Sequence, residues 1–177
     1  MNNETFELFF AILSVATLIG TLVILAARTV FRSSSVGAAV VDGFRPFSRP
    51  LSAAIATTCM LGSLYFSEIV HYKPCRLCWM QRGAMYPLAV LLVIFTLAKT
   101  RNIGRIVVPI AAIGSCISMY HWLLERFPEN LDSGVCSKDV PCEFVWFEHF
   151  GFVTLPFMAL TGFLAIIVFN TLPSATE

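Results

Sequence analysis

The sequence predicts an all-α membrane protein built around five transmembrane helices, and three observations carry that expectation. Of its 177 residues, 57% are apolar and only 13% charged, against about 25% charged in an ordinary soluble domain. The mean hydropathy is +0.77. The apolar residues fall in five runs, each near the roughly 17–25 residues an α-helix needs to cross a hydrocarbon core, and none shows the polar stripe of a soluble bundle helix. So few charges cannot cover a water-exposed surface, which excludes a soluble enzyme, and so apolar a chain is not intrinsically disordered. A net charge of +1 gives no bulk attraction to nucleic acid. The expected surroundings are a lipid bilayer.

The first run, residues 8–27, has no charge. A signal peptide has a basic start and a short apolar region. Here the start is acidic (Glu4, Glu7) and the first cation is Arg28, so a retained helix is expected. An Arg- and Ser-rich connection leads to the second run, 51–67. The third, 83–98, follows a cluster of cysteines and charges. The fourth, 106–124, carries His121 near its end, and the fifth is 150–173. With the amino terminus outside, connections 28–50 and 99–105 fall inside. They hold Arg28, Arg32, Arg45, Arg49, Lys99, Arg101 and Arg105, seven of the twelve basic residues, in the sense of the positive-inside rule. The carboxyl terminus is then inside and the long loop 125–150 outside. Within that loop Trp146, Phe147, Phe150 and Phe152 mix with Glu143, Glu148 and His149, the composition of a short amphipathic helix on the outer surface.

The six cysteines divide by position. Cys75 and Cys78 stand in Pro74-Cys75-Arg76-Leu77-Cys78-Trp79-Met80-Gln81-Arg82, at the outer end of the third run. Two cysteines three apart at a helix start can close as a reversible disulfide. Pro74 suits a first helical turn, and the helix dipole with Arg76 and Arg82 favours the reactive thiolate. A static disulfide or half of a zinc site, completed by Cys136, Cys142, His71, His121 or His149, uses the same residues. The cationic setting favours redox chemistry. Cys136 and Cys142 lie in a turn-rich segment of the outer loop. Alone they read as a staple worth roughly 2–3 kcal/mol. Beside an outward-facing C-x-x-C they read as a second pair able to exchange electrons with it. Cys59 and Cys116 sit mid-run beside small residues (Ser52, Ala56, Ser63; Ala111, Ser115, Ser118) and are expected to pack between helices.

These motifs carry a resemblance. Tyr65-Phe66-Ser67-Glu68, then Lys73-Pro74-Cys75-x-Leu77-Cys78-Trp79-x-Gln81-Arg82, then Met85-Tyr86-Pro87-Leu88, resembles the DsbB family of membrane disulfide-bond formation proteins, most nearly its BdbC-type branch. Val140-Pro141-Cys142, followed by Phe150-Gly151-Phe152-Val153-Thr154-Leu155-Pro156, matches the branch as well. The likeness covers about residues 51–169. It implies a four-helix transmembrane bundle, 50–173, preceded by an extra amino-terminal helix and basic inner loop, 1–49. The six-residue step from Cys136 to Cys142 is shorter than the loop of the best-known members.

The resemblance implies a protein-disulfide:quinone oxidoreductase in the bacterial cell (inner) membrane, with both cysteine pairs on the extracytoplasmic side. A DsbA-like (BdbD-type) thioredoxin-fold oxidase would be its partner and menaquinone or ubiquinone its acceptor, without a metal. Cys136 would form the mixed disulfide, Cys75–Cys78 would receive the electrons, Cys78 would lie nearer the quinone, and Arg82 would stand beside the quinone carbonyl. A guanidinium keeps its charge at membrane depth, though an Arg there also serves as a snorkelling anchor. His121 is expected to line the quinone pocket or move protons. Glu68, at the outer end of the second run, is expected among the residues that hold the quinone, and either pairs with Lys73 or Arg82 or faces headgroups. The vitamin K epoxide reductase type also joins a four-helix bundle to a quinone and two cysteine pairs, but there the loop pair precedes the C-x-x-C. A metal-binding or purely structural membrane protein is the remaining rival.

Overall fold

The structure, a computed structural model, describes residues 3–98, 103–128, 136 and 140–172. Lys99, Arg101, Lys138, segment 130–135 and Pro173, which figure in the expectations above, lie outside these. Every apolar run forms a helix: α1 is Asn3–Thr29, α3 Ser48–Leu64, α4 Arg76–Leu97, α5 Gly104–Arg126 and α6 Leu155–Asn170. Among the described residues, α1, α4 and α5 are by themselves long and apolar enough to cross a membrane. α3 gains length from a wider π-helical turn, Tyr65–Ile69. α6 has 16 residues, about 24 Å at 1.5 Å per residue, so the segments flanking it must complete the crossing.

α3, α4, α5 and α6 close a four-helix ring, each packed on its neighbours, and α1 lies against the outside of α6. Leu88 and Leu92 of α4, Val107 and Ala111 of α5, and Phe163 and Ile166 of α6 meet in the ring's centre, fully buried. In lipid, packing and hydrogen bonds rather than water exclusion hold helices together. The expected small faces are in place: Ser52, Ala56, Ala111, Ser115 and Ser118 are buried. Polar ties add to them, with Asn170 Nδ2 donating to Ser52 Oγ at 3.0 Å and Arg28 Nη1 to Thr171 Oγ1 at 2.9 Å.

Three expectations need correction. Cys116 is exposed. It follows Ser115 by one position and so points some 100° away from the packing stripe. The loop carries no amphipathic helix over 143–152. Phe150 and Gly151 adopt left-handed backbone (φ 55° and 74°), which reverses the chain so that His149 and Val153 pair, and the Trp146 ring turns onto Tyr72, 4.5 Å between centroids. A short helix forms instead at the other end of the molecule. α2 (Ser35–Phe44) is capped by Ser34 Oγ, which accepts from Gly37 N at 3.0 Å. Gly37 lies so close to the carbonyls of Ala27 and Phe31 that a Cβ would collide with both.

Candidate active site

The site forms where the amino ends of α1, α4 and α6 meet the carboxyl ends of α3 and α5. After the π turn, His71 takes a left-handed conformation (φ 63°) and the chain doubles back, with Tyr72 N bonded to Phe66 O at 2.9 Å. Cys75 then caps α4. Its backbone is extended and its Sγ accepts from Cys78 N at 3.3 Å. Helical spacing places Cys78, Gln81, Arg82 and Met85 on one face of α4.

Both cysteine pairs gather in one cluster. Cys75, Leu77, Leu124 and Cys142 are buried, with Cys78, Cys136 and Val140 packed against them. Cys136 and Cys142 form a disulfide. Cys75 and Cys78 are free, with their sulfurs 2.8 Å apart. His121 of α5, 3% exposed, joins the two pairs. Its Nε2 lies 3.0 Å from Cys142 O and 3.6 Å from Cys75 Sγ, and its Nδ1 is 3.2 Å from Gln81 Nε2. With the Gln81 amide donating to Nδ1, Nε2 carries the proton and donates toward both the carbonyl and the sulfur. Cys75, just outside the α4 span, has its thiol pulled down from 9.0 to about 4. The hydrogen bond from Cys78 is the main cause. Burial opposes it, and the His121 hydrogen bond adds to the lowering. Cys75 is therefore the thiolate of the pair.

Beside this cluster is a cavity of about 300 Å³. Its walls are largely apolar side chains of α1, α3 and α6, with Cys78 and Arg82 facing it from α4. Arg82 is clasped to α3: Nε donates to Ser63 Oγ and Nη2 to Ser63 O, both at 2.9 Å. Its guanidinium also lies 5.2 Å from the Trp79 ring centroid. Among the described residues nothing accepts from Nη1.

Cys75, Cys78, Cys136, Cys142, Arg82 and His121 thus meet at one end of the bundle. Two placements differ from expectation. His121 does not line the cavity; it sits behind Gln81, a wall residue to which it is bonded, and also reaches Cys142 O. Glu68 stands outside the cavity wall and pairs with neither Lys73 nor Arg82; it is exposed and accepts from Ser67 Oγ at 2.9 Å, which leaves the headgroup-facing alternative. Gln81 and Ser63, which orient His121 and Arg82, carried no assigned role in the sequence. Gln81 was in reach of one, since it falls one helical turn after Cys78. Sγ of Cys75 and Cys78 and a ring nitrogen of His121 lie within 4.8 Å of one another, which could hold a soft cation. The two sulfurs that would complete a four-ligand site are bonded to each other.

The family model for disulfide bond formation protein DsbB matches residues 47–172. Disulfide bond formation protein C of Bacillus subtilis (strain 168) is 44% identical over 121 residues, covering 68% of this chain and 88% of the relative. A probable disulfide formation protein C 1 of Bacillus anthracis is 46% identical over 108 residues, 61% of this chain and 78% of the relative. A probable disulfide formation protein C of Halalkalibacterium halodurans is 43% identical over 117 residues, 66% and 85%. No solved structure matches the chain. A helical membrane bundle with two cysteine pairs at one end, matched by the family model over most of its length and by relatives of the C-type branch, belongs to the DsbB family of disulfide bond formation proteins.

Proposed function

We propose that this disulfide-forming oxidoreductase reoxidises a DsbA-like thioredoxin-fold protein and delivers the electrons to a membrane quinone, its cysteine end facing the extracytoplasmic side. One observation carries the reading: both cysteine pairs share one buried cluster, and of those four cysteines Cys78 also faces the cavity.

The exchange steps follow from accessibility. Cys136 is half-buried whereas Cys142 is 2% exposed, so Cys136 is the sulfur a partner thiolate attacks. That breaks Cys136–Cys142 and forms a mixed disulfide. The partner's second thiol releases Cys136, and the partner leaves as a disulfide. Cys142, packed beside Cys75, then attacks the Cys75–Cys78 disulfide at Cys75, and Cys78 leaves as the thiolate toward the cavity. Cys136 closes back on Cys142. Each exchange breaks one S–S bond and forms one, and two electrons come to rest on Cys75 and Cys78. His121 holds Cys75 and the Cys142 backbone in contact throughout.

A quinone, when bound, supplies an acceptor for two electrons and two protons. The cavity fits such a group. Its volume is near the lower end of the roughly 300–1,000 Å³ of small-molecule sites, its walls are largely apolar, and Nη1 of Arg82, without an acceptor among the described residues, is a donor for a carbonyl oxygen. Arg82 would orient the head group against Cys78.

The test combines purified protein, quinone and a reduced thioredoxin-fold partner. Cys78→Ser should abolish partner oxidation, and Arg82→Gln should raise the apparent KM for quinone by about tenfold, the worth of one hydrogen bond to a charged group. Partner oxidation that survives Cys78→Ser rules out the route. An unchanged KM makes Arg82 an interface anchor. Metal analysis of the same preparation separates this reading from zinc held by Cys75, Cys78 and His121.

A further inference from the structure

The family match begins at residue 47, so α1 lies outside it. Yet Phe10, Leu13, Ser14 and Thr17 of α1 stand in the cavity wall, at the spacing of a single helical stripe. The stripe is fitted to the bundle. The Phe10 ring lies on Gly62 of α3, where an added Cβ would come within 3.0 Å of it, and packs edge-on to Phe66 at 5.6 Å. Ser14 Oγ is 3.1 Å from Thr161 Oγ1 of α6. At its outer end α1 is fastened to the cysteine loop, since the Tyr72 hydroxyl donates to Glu7 Oε1 at 2.6 Å, three residues before Cys75. α1 therefore lies across the α3–α6 side of a cavity whose α4 side presents Cys78 and Arg82. Without it that side would open to lipid.

We infer that α1 is a specificity-determining wall of the acceptor site, setting which quinone head groups fit against Cys78 and Arg82. The inference rests on reading the cavity as the quinone site. Selection is by shape, because the hydroxyls of the stripe are already engaged: Ser14 with Thr161, and Thr17 as donor to Leu13 O at 2.8 Å.

The experiment uses the full chain in lipid nanodiscs, titrated with two short-tailed quinones, a single-ring benzoquinone and a fused-ring naphthoquinone. Binding is followed by quenching of tryptophan fluorescence, since Trp146 lines the cavity and Trp79 flanks Arg82. Phe10→Ala removes part of the wall and should weaken both quinones by about tenfold. Leu13→Phe adds bulk at a position 39% exposed, where folding tolerates it, and should weaken the fused-ring quinone more than the single ring. Arg82→Gln tests the underlying reading and should weaken both. If Arg82→Gln weakens binding while both α1 variants bind within about twofold of the parent, the wall is overturned and the cavity reading stands. If none of the three changes binding, the quinone is not in this cavity and both fall.

Discussion

Cys75 is governed by its neighbours rather than by its own chemistry. The hydrogen bond from Cys78, aided by His121, keeps its thiol near pH 4 in place of 9.0. A pKa lowered on folding contributes stability that is whole above the unfolded value and is lost as pH falls toward the folded one. The dithiol form is therefore destabilised progressively between pH 9 and about 4. Its ultraviolet thiolate absorbance should persist at pH 6 and fade only near pH 4. His121→Ala removes a hydrogen-bond donor beside the sulfur, so the midpoint should move upward, and a pH titration of that absorbance checks it. If the midpoint does not move, His121 has no hold on Cys75. The cysteines and Arg82 were legible in the sequence because one short motif on one helix carries most of them. The bridging role of His121 was not, since one acceptor is a backbone carbonyl 21 residues away and no side-chain pattern encodes a carbonyl's position. Glu68 misled for the opposite reason: its charge sits at the right depth, but the π turn that carries it leaves it exposed.

Hydropathy found every long helix because a membrane span must be both apolar and long. It missed α2, whose ten residues are too short to register as a span, and it read the aromatic loop as helix. There the rings turn inward onto Tyr72 and Phe66, at 4.5 and 5.5 Å, and that packing outweighs local propensity. Tyr72 is also the clasp of α1. Its phenol is pushed from 10.0 up to about 12 by burial first, then by its hydrogen bond to Glu7 and that carboxylate's charge. A raised pKa contributes stability that is whole below the ordinary value and is lost as pH rises through the shifted one, so α1 should loosen between pH 10 and 12. Tyr72→Phe keeps the ring stack and deletes the hydrogen bond. It should cost roughly 1–2 kcal/mol, speed hydrogen exchange at the outer end of α1, and abolish the alkaline step. Unchanged exchange in α1 would show that packing alone holds it.

The antiparallel arrangement sends every chemically distinctive group to one end. Glu7, both cysteine pairs, His121 and Arg82 lie with the amino end of α1, while Arg28 and Asn170 mark the other, tied to Thr171 and Ser52. Arg28, Arg32, Arg45, Arg49 and Arg105 fall at that second end, which by the positive-inside rule supports the proposed orientation, with the cysteine end outward, where disulfides persist. The four-helix ring and the outlying α1 follow from packing that no single run of residues announces, whereas the placement of charge was readable directly. Orientation is testable with two exposed positions, Glu4 at the cysteine end and Ser33 at the other. In intact cells a membrane-impermeant maleimide should label Glu4→Cys, identified by peptide mass, and should reach Ser33→Cys only after the membrane is opened. Cys116, exposed in the middle of α5, faces lipid and should stay unlabelled in both cases. The reverse pattern would place both cysteine pairs in a reducing compartment, where the loop disulfide would not persist, and would end the case for electron transfer from an extracytoplasmic partner.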